Sequence, residues 1–159
     1  MAVKQQRHRA PREVARSAAR LGAVQALYSM DIAGTPIEDV LAEYGSTRLG
    51  EGFDNGECGE ADIGFLRDIV SGVLADQRLI DQTVDDCLAE GWTLARLDST
   101  LRAILRAGAY EIMFREDVPA AATISEYVNV TRAFFEEGRE GGFVNAALDA
   151  LARKRGRIA

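Results

Sequence analysis

The hydrophobic positions of this chain recur at helical spacing. Between Pro11 and about Ile32 they return every three or four residues, which predicts a first helix ended by Gly34. Thr35 and Glu38 then form a capping box that predicts the start of a second helix. The predicted inner face of the first helix consists of Val14, Ala18, Leu21, Gln25, Tyr28 and Ile32.

Glycine and proline separate the later periodic segments. The predicted helical stretches are 63–90 with a bend near 76–78, one capped by Asp98 or Ser99, one from Thr123 and a last one from Phe143. A glycine-rich segment, 45–60, predicts a surface loop. The sequence therefore predicts an all-α fold, a compact domain of about seven helices over residues 11–155. A basic, flexible arm (1–10) is expected before this domain and a basic tail (156–159) after it.

Charge is distributed very unevenly. The net charge is −6, yet the first twenty residues carry six basic side chains and one acidic one. Residues 21–152 hold nine basic and twenty-four acidic side chains, and residues 153–159 again carry only basic ones. This pattern predicts an acidic body with a basic edge, which would attract a polyanion at the edge and a basic protein at the body.

Three of the N-terminal bases recur every four residues. Arg12, Arg16 and Arg20 are therefore predicted to form a stripe on the helix face opposite the core. Arginine suits phosphate because its guanidinium donates two parallel hydrogen bonds, so RNA is favoured over simple solvation. Tyr28 and Phe143 could supply rings for base stacking, although either ring alone is more typical of a core position.

The sequence gives little support for an enzyme. The single histidine, His8, excludes a multi-histidine metal site, and Cys58 and Cys87 match no zinc spacing. The acidic pairs 85–86 and 136–137 are typical of solvated helix faces. We therefore predict no catalytic residues, no cofactor and no metal. The cysteine usage fits a cytoplasmic protein, and no apolar run is long enough to span a membrane.

Several segments look familiar in their order and spacing. They are 16–30 with its Ala-Val-Gln-Ala-Leu-Tyr-Ser stretch, 62–73, Leu97, 102–111, 117–119, 124–126 and 143–149. Together they cover nearly the whole chain and resemble the family of the bacterial transcription antitermination factor NusB. The resemblance implies two packed helical subdomains and no enzymatic activity.

The resemblance also implies partners and site residues. Members of the family pair with the small ribosomal protein NusE, bind the single-stranded boxA element of ribosomal RNA transcripts and join the RNA polymerase antitermination complex. The arginine-rich start of their first helix corresponds to 16–20 here, and their RNA-proximal rings correspond to Tyr28 and Phe143. A role for Arg12 is our own extension. Leu101 replaces an acid common in the family, so the residues that contact NusE stay open.

Two other functions were weighed. One is a helical adaptor that binds only protein. The other is the NusB-like domain found in some rRNA cytosine methyltransferases, which is disfavoured because the sequence offers neither a methyl-donor-binding domain nor a suitable cysteine motif. The sequence leaves open whether the free protein is a monomer or a homodimer.

Overall fold

The helices predicted from the sequence are present in the structure, a computed structural model that describes residues 11–43, 62–136 and 138–159. Within these ranges there are seven α-helices and no strand, which confirms the all-α prediction. The predicted N-terminal arm and the glycine-rich loop at 45–60 lie outside the described residues. The helices are α1 (Pro11–Ala33), α2 (Ile37–Glu43), α3 (Ile63–Ala75), α4 (Gln77–Asp85), α5 (Ser99–Phe114), α6 (Ala120–Phe134) and α7 (Glu140–Lys154), with a short 3-10 turn at Leu94–Arg96.

Most helix ends follow the signals in the sequence. Gly34 ends α1 with a φ of 66°, a conformation that disfavours side chains with a Cβ. The Asp98 carboxylate caps α5 by accepting a hydrogen bond from the Thr100 backbone N–H at 2.8 Å. Two predicted starts are wrong. Helix α6 begins at Ala120, so Thr123 lies buried within it. Helix α7 begins at Glu140 and contains Gly141 and Gly142, two of the glycines that were expected to precede it.

Helix α5 occupies the centre of the fold. It packs against α1, α3 and α4 and also against α6 and α7, and the buried side chains form one large continuous cluster. The helices approach closely at glycines: a Cβ on Gly72 would lie 2.1 Å from the Tyr110 ring, and one on Gly108 would lie 2.8 Å from Leu148. Gly72 and Gly108 therefore let α5 pack closely against α3 and α7. None of the described helices combines the length and apolar character needed to cross a membrane.

The inner face of α1 differs from the prediction. Gln25 and Tyr28 are exposed, and Ile32 is 58% exposed, so their assignment to the core is wrong. Small side chains cover the buried face instead, and they let α1 lie close to α3 and α5. The buried apolar residues of α1 are Ala15, Ala18, Ala19, Ala23, Val24, Ala26 and Leu27.

The last residues of the chain dock onto the helical body. Gly156 turns the chain with a φ of 70° after α7. The Arg157 guanidinium donates hydrogen bonds to the Ile112 carbonyl and, at 2.9 Å, to the Val118 carbonyl. Ile158 packs against the core. The segment predicted as a separate basic tail is thus joined to the turn between α5 and α6.

Candidate nucleic-acid interface

The arginines of α1 follow the helix from its surface into the core. Arg12 is exposed, Arg16 is half-buried and Arg20 is only 4% exposed. Four residues turn an α-helix by about 40° more than one revolution, so three such positions spread over about 80° of the surface. The prediction of an exposed stripe on the face opposite the core is therefore wrong at Arg20.

Arg20 is held by a carboxylate from α5. Its Nε and Nη2 atoms each donate a hydrogen bond to Glu111, both at 2.9 Å, and Glu111 is fully buried. The Tyr127 hydroxyl donates a further hydrogen bond to Glu111 Oε2, and Arg20 Nη1 lies 3.8 Å from Glu126 Oε2. A buried charge is tolerated when it is paired and hydrogen-bonded in this way. Arg20 thus joins α1 to α5 and cannot present its guanidinium at the surface.

The ionisation of this buried group follows from its contacts. Burial opposes the charge of Arg20, but the hydrogen bonds and the negative charge of Glu111 outweigh it and raise the arginine's pKa. Burial also raises the pKa of Tyr127 well above its ordinary value, and the neighbouring charge of Glu111 adds to this effect. The network therefore consists of a charged arginine and a neutral tyrosine at physiological pH.

The ring of Phe65, at the start of α3, contacts the guanidinium groups of three arginines. The guanidinium carbons of Arg16, Arg20 and Arg115 lie 4.8, 5.1 and 5.0 Å from the centre of its ring. These distances suit cation–π attraction to a buried phenylalanine. One ring thus fixes the positions of guanidinium groups contributed by α1 and by the end of α5.

Arg115 is neutralised by two acids. Its Nη1 lies 3.0 Å from Asp68, and its Nε and Nη2 both donate to Asp117 at 2.9 Å. The hydrogen bonds from Arg115 lower the pKa of Asp117 and raise that of Arg115. Asp68 also accepts a hydrogen bond from Tyr110, whose pKa rises to about 12, first because of burial and second because of that bond.

Arg16 differs from both of its neighbours on the Phe65 ring. Among the residues that the structure describes, no carboxylate oxygen lies within 4 Å of its guanidinium nitrogens. Its Nε atom is buried and has no hydrogen-bond partner. Arg16 is therefore held in place by an aromatic ring, and among the described residues its guanidinium forms no direct ion pair, although its charge acts at longer range on Asp117. With the exposed Arg12 one turn away, it can bind a phosphate.

Tyr28 lies near the other end of α1. It is 40% exposed and lines a pocket of about 270 Å³ between α1, α5 and α6. The pocket is formed by Val24, Gln25, Tyr28, Ser29, Thr100 and Phe134. A half-exposed ring at a pocket of this size is available to an aromatic ligand such as a nucleobase.

Phe143 lies in the first turn of α7 and is half-buried. It makes an edge-to-face contact with Trp92, with ring centres 6.4 Å apart and ring planes at 64°. Both rings line an open groove of about 540 Å³. Trp92 was not a candidate from the sequence, because its exposure depends on how the 92–97 segment meets α7. Its nearness to Phe143 was therefore missed.

The described residues contain no group of three or more histidine, cysteine, aspartate or glutamate side chains that could hold a metal ion. Asp85, half of one predicted acidic pair, accepts a hydrogen bond from the Leu94 backbone N–H at 2.6 Å and so holds the following turn. Burial raises the pKa of the Cys87 thiol, which makes it less reactive.

Comparison with known proteins identifies the family. The model of the NusB family matches residues 17–153 of this chain. The chain belongs to the NusB family. Two relatives, each named transcription antitermination protein NusB, come from Mesorhizobium japonicum and a Bradyrhizobium species. The first is 52% identical over 87% of this chain and 89% of that protein, and the second is 54% identical over 87% and 82%.

Solved structures of NusB proteins have the same fold. NusB from T. maritima superposes with a TM-score of 0.72 at 28% identity, over 87% of this chain and 91% of that one. A second structure contains the antitermination factors NusB and NusE with double-stranded RNA. It gives a TM-score of 0.70 at 21% identity, over 89% and 98% of the two chains. The NusB relatives are transcription factors, which agrees with the prediction that this family member is not an enzyme.

Only three of the five predicted site residues lie within the region that matches the family model. Arg20, Tyr28 and Phe143 fall inside the matched region, whereas Arg12 and Arg16 precede it. The structure brings Tyr28 and Phe143 to surface concavities and leaves Arg12 and Arg16 accessible at the start of α1. It places Arg20 in the core instead.

Proposed function

We propose that this protein is an RNA-binding transcription antitermination factor that pairs with a NusE-type ribosomal protein and binds boxA RNA of ribosomal RNA transcripts. The observation that carries the proposal is the 52% identity to a transcription antitermination protein NusB over 87% of the chain. A family structure that contains NusB, NusE and RNA supports the two partners.

We propose separate tasks for the arginines and the aromatic rings. Arg16, held on Phe65 with no carboxylate within ion-pairing distance among the described residues, and the exposed Arg12 contact phosphates. Tyr28 and Phe143 contact bases. Arg20 is left out of the RNA contacts because Glu111 occupies its guanidinium.

The acidic body contributes to assembly. Its excess of carboxylates would speed the approach of a basic ribosomal protein by electrostatic attraction. The complete assembly includes the RNA polymerase antitermination complex in the cytoplasm. Before assembly the free protein is either a monomer or a homodimer.

A binding experiment with two RNAs tests the proposal. The affinity of the full-length chain for a fluorescent single-stranded boxA RNA and for a scrambled RNA of equal length is measured with and without purified NusE. We expect boxA to bind more tightly than the scrambled RNA, and we expect NusE to widen that difference. No detectable binding of either RNA, with or without NusE, together with intact binding of NusE, would instead identify a protein-only adaptor.

A further inference from the structure

We infer that Trp92 and Phe134 belong to the RNA-binding surface, where they join Tyr28 and Phe143 in an aromatic track that stacks bases of single-stranded RNA. The inference rests on the proposed function and deepens it. Neither Trp92 nor Phe134 was a candidate from the sequence, and both are exposed, at 51% and 41%.

The four rings line two concavities, and each concavity includes a residue at the N-terminal end of α5. Tyr28 and Phe134 line the pocket that includes Thr100. Trp92 and Phe143 line the groove that includes Asp98 and Leu101. Because Thr100 and these two residues belong to the cap and first turn of α5, both concavities border that end of the helix. The aromatic track therefore crosses the N-terminal end of α5.

Exposed apolar side chains that share a concavity indicate a binding site more strongly than exposed side chains scattered singly over the surface. Trp92 and Phe134 each leave a large apolar surface in water, and the T-shaped contact with Phe143 positions Trp92 without burying it. Trp92 is therefore held in place by a neighbouring ring and is still accessible. This is the arrangement on which unpaired bases stack.

The charges beside the Trp92 groove favour a nucleic acid. Arg96 and Arg139 line it, and no described carboxylate lies within ion-pairing distance of either guanidinium. Arg96 Nη1 donates to the Gly91 carbonyl at 2.9 Å, which fixes this side chain beside Trp92.

One acid of the groove caps a helix, and one carboxylate oxygen of the other is buried without a hydrogen-bond partner. Asp98 caps α5 through Thr100, and Glu140 Oε2 is buried against Gly138. The cations are therefore more available to a ligand than the acids, which favours RNA over a basic protein.

An affinity measurement on variants of the full-length chain tests the track. Trp92→Ala and Phe134→Ala should each weaken binding of fluorescent single-stranded boxA RNA on the order of tenfold, because each removes one stacking surface. The salt dependence of binding should stay unchanged, since no phosphate contact is lost. Trp92→Phe should retain most of the affinity. The matched control is Leu79→Ala, an exposed apolar residue on α4 that lines neither concavity.

The fluorescence of Trp92 gives an independent readout, because the sequence contains no other tryptophan. We expect the boxA RNA to quench it saturably. An abasic oligonucleotide of the same length, which offers phosphates without bases, should leave it nearly unchanged. Because this measurement uses the unmodified protein, it also decides the matter if an alanine variant does not fold.

Three results would overturn the inference in distinguishable ways. If both alanine variants bind boxA normally while Arg16→Ala weakens binding, the track is wrong and the proposed function stands. If Trp92→Ala binds RNA normally but loses NusE, the groove is a protein interface. If the unmodified protein does not bind boxA with or without NusE, the proposed function itself fails.

Discussion

Arg16 and Arg20 lie about one turn apart on α1 and face the same phenylalanine ring, yet their surroundings are opposite. Arg20 is buried and bonded to both oxygens of Glu111. Arg16 has no described carboxylate partner, and its Nε atom is unsatisfied. The difference teaches that a repeated basic residue becomes either a structural tie or a candidate for the proposed phosphate contact, according to the carboxylates that the rest of the fold brings to it.

The largest expected effect comes from breaking the structural tie. Arg20→Ala leaves Glu111 buried without its cation and should lower the free energy of unfolding by about 3–5 kcal/mol. Arg16→Ala should lower it by about 1 kcal/mol or less, since it removes mainly a cation–π contact. Urea denaturation followed by circular dichroism measures both. Similar losses in the two variants would erase the distinction between these arginines.

Tyr127→Phe tests the hydrogen bond that the Tyr127 hydroxyl donates to Glu111. Removing a hydrogen bond to the charged Glu111 should lower the free energy of unfolding by about 1.5–3 kcal/mol at pH 7. The native pKa of Tyr127 is raised, so its contribution is present below the ordinary tyrosine pKa of about 10 and is lost as pH rises beyond it.

The pH dependence of thermal unfolding gives a second test of the role of Tyr127. Between pH 9 and pH 11, on the order of two pH units around the ordinary pKa, the unmodified protein should lose more stability than Tyr127→Phe does. Thermal unfolding at several pH values measures this difference. Parallel curves would show that Tyr127 does not titrate with unfolding.

The salt dependence of RNA affinity tests the proposed phosphate contacts of Arg12 and Arg16. Arg12→Ala combined with Arg16→Ala should weaken binding of boxA RNA and reduce the slope of log affinity against log salt by about 1.4, since each single-strand phosphate contact contributes about 0.7. Arg20→Ala, measured where it is folded, should keep the original slope. The matched control, Arg78→Ala with Arg132→Ala, removes two exposed positive charges elsewhere.

Asp117→Asn should have the smallest effect. Asp117 is exposed, and Asp68 still pairs with Arg115 in the variant, so stability at pH 7 should fall by about 0.5 kcal/mol or less. The pKa of Asp117 is lowered, so its contribution is present above the ordinary aspartate pKa of about 4 and is lost as pH falls below that value. Acid titration followed by circular dichroism compares the variant with the unmodified chain. A large loss at neutral pH would show that Asp68 alone cannot hold Arg115.

Local signals were sufficient to predict most of the fold. Proline and glycine marked the ends of α1, and Asp98 marked the start of α5, because each acts on its own neighbouring backbone. The start of α7 was missed because Gly141 and Gly142 suggested a break, whereas a helix that packs against others accepts such glycines.

The site was predictable only in part, because the burial and contacts of its side chains depend on residues that are distant in the sequence. Glu111 lies 91 positions from Arg20 along the chain, so no local pattern could show that Arg20 would be buried. Phe65, which positions Arg16, comes from another helix. Bulky residues such as Ile32 were assigned to the core of α1, while its alanines, which give a weak hydrophobic signal, in fact cover the buried face.

The unbroken course of α1 also sets a length scale for the ligand. Arg16 and Tyr28 are separated by twelve residues of one continuous helix, a rise of about 18 Å along its axis. An oligonucleotide too short to cover that span can occupy one end of α1 but not both. Affinity should therefore increase abruptly once the RNA becomes long enough to reach from one end to the other, so that α1 acts as a molecular ruler.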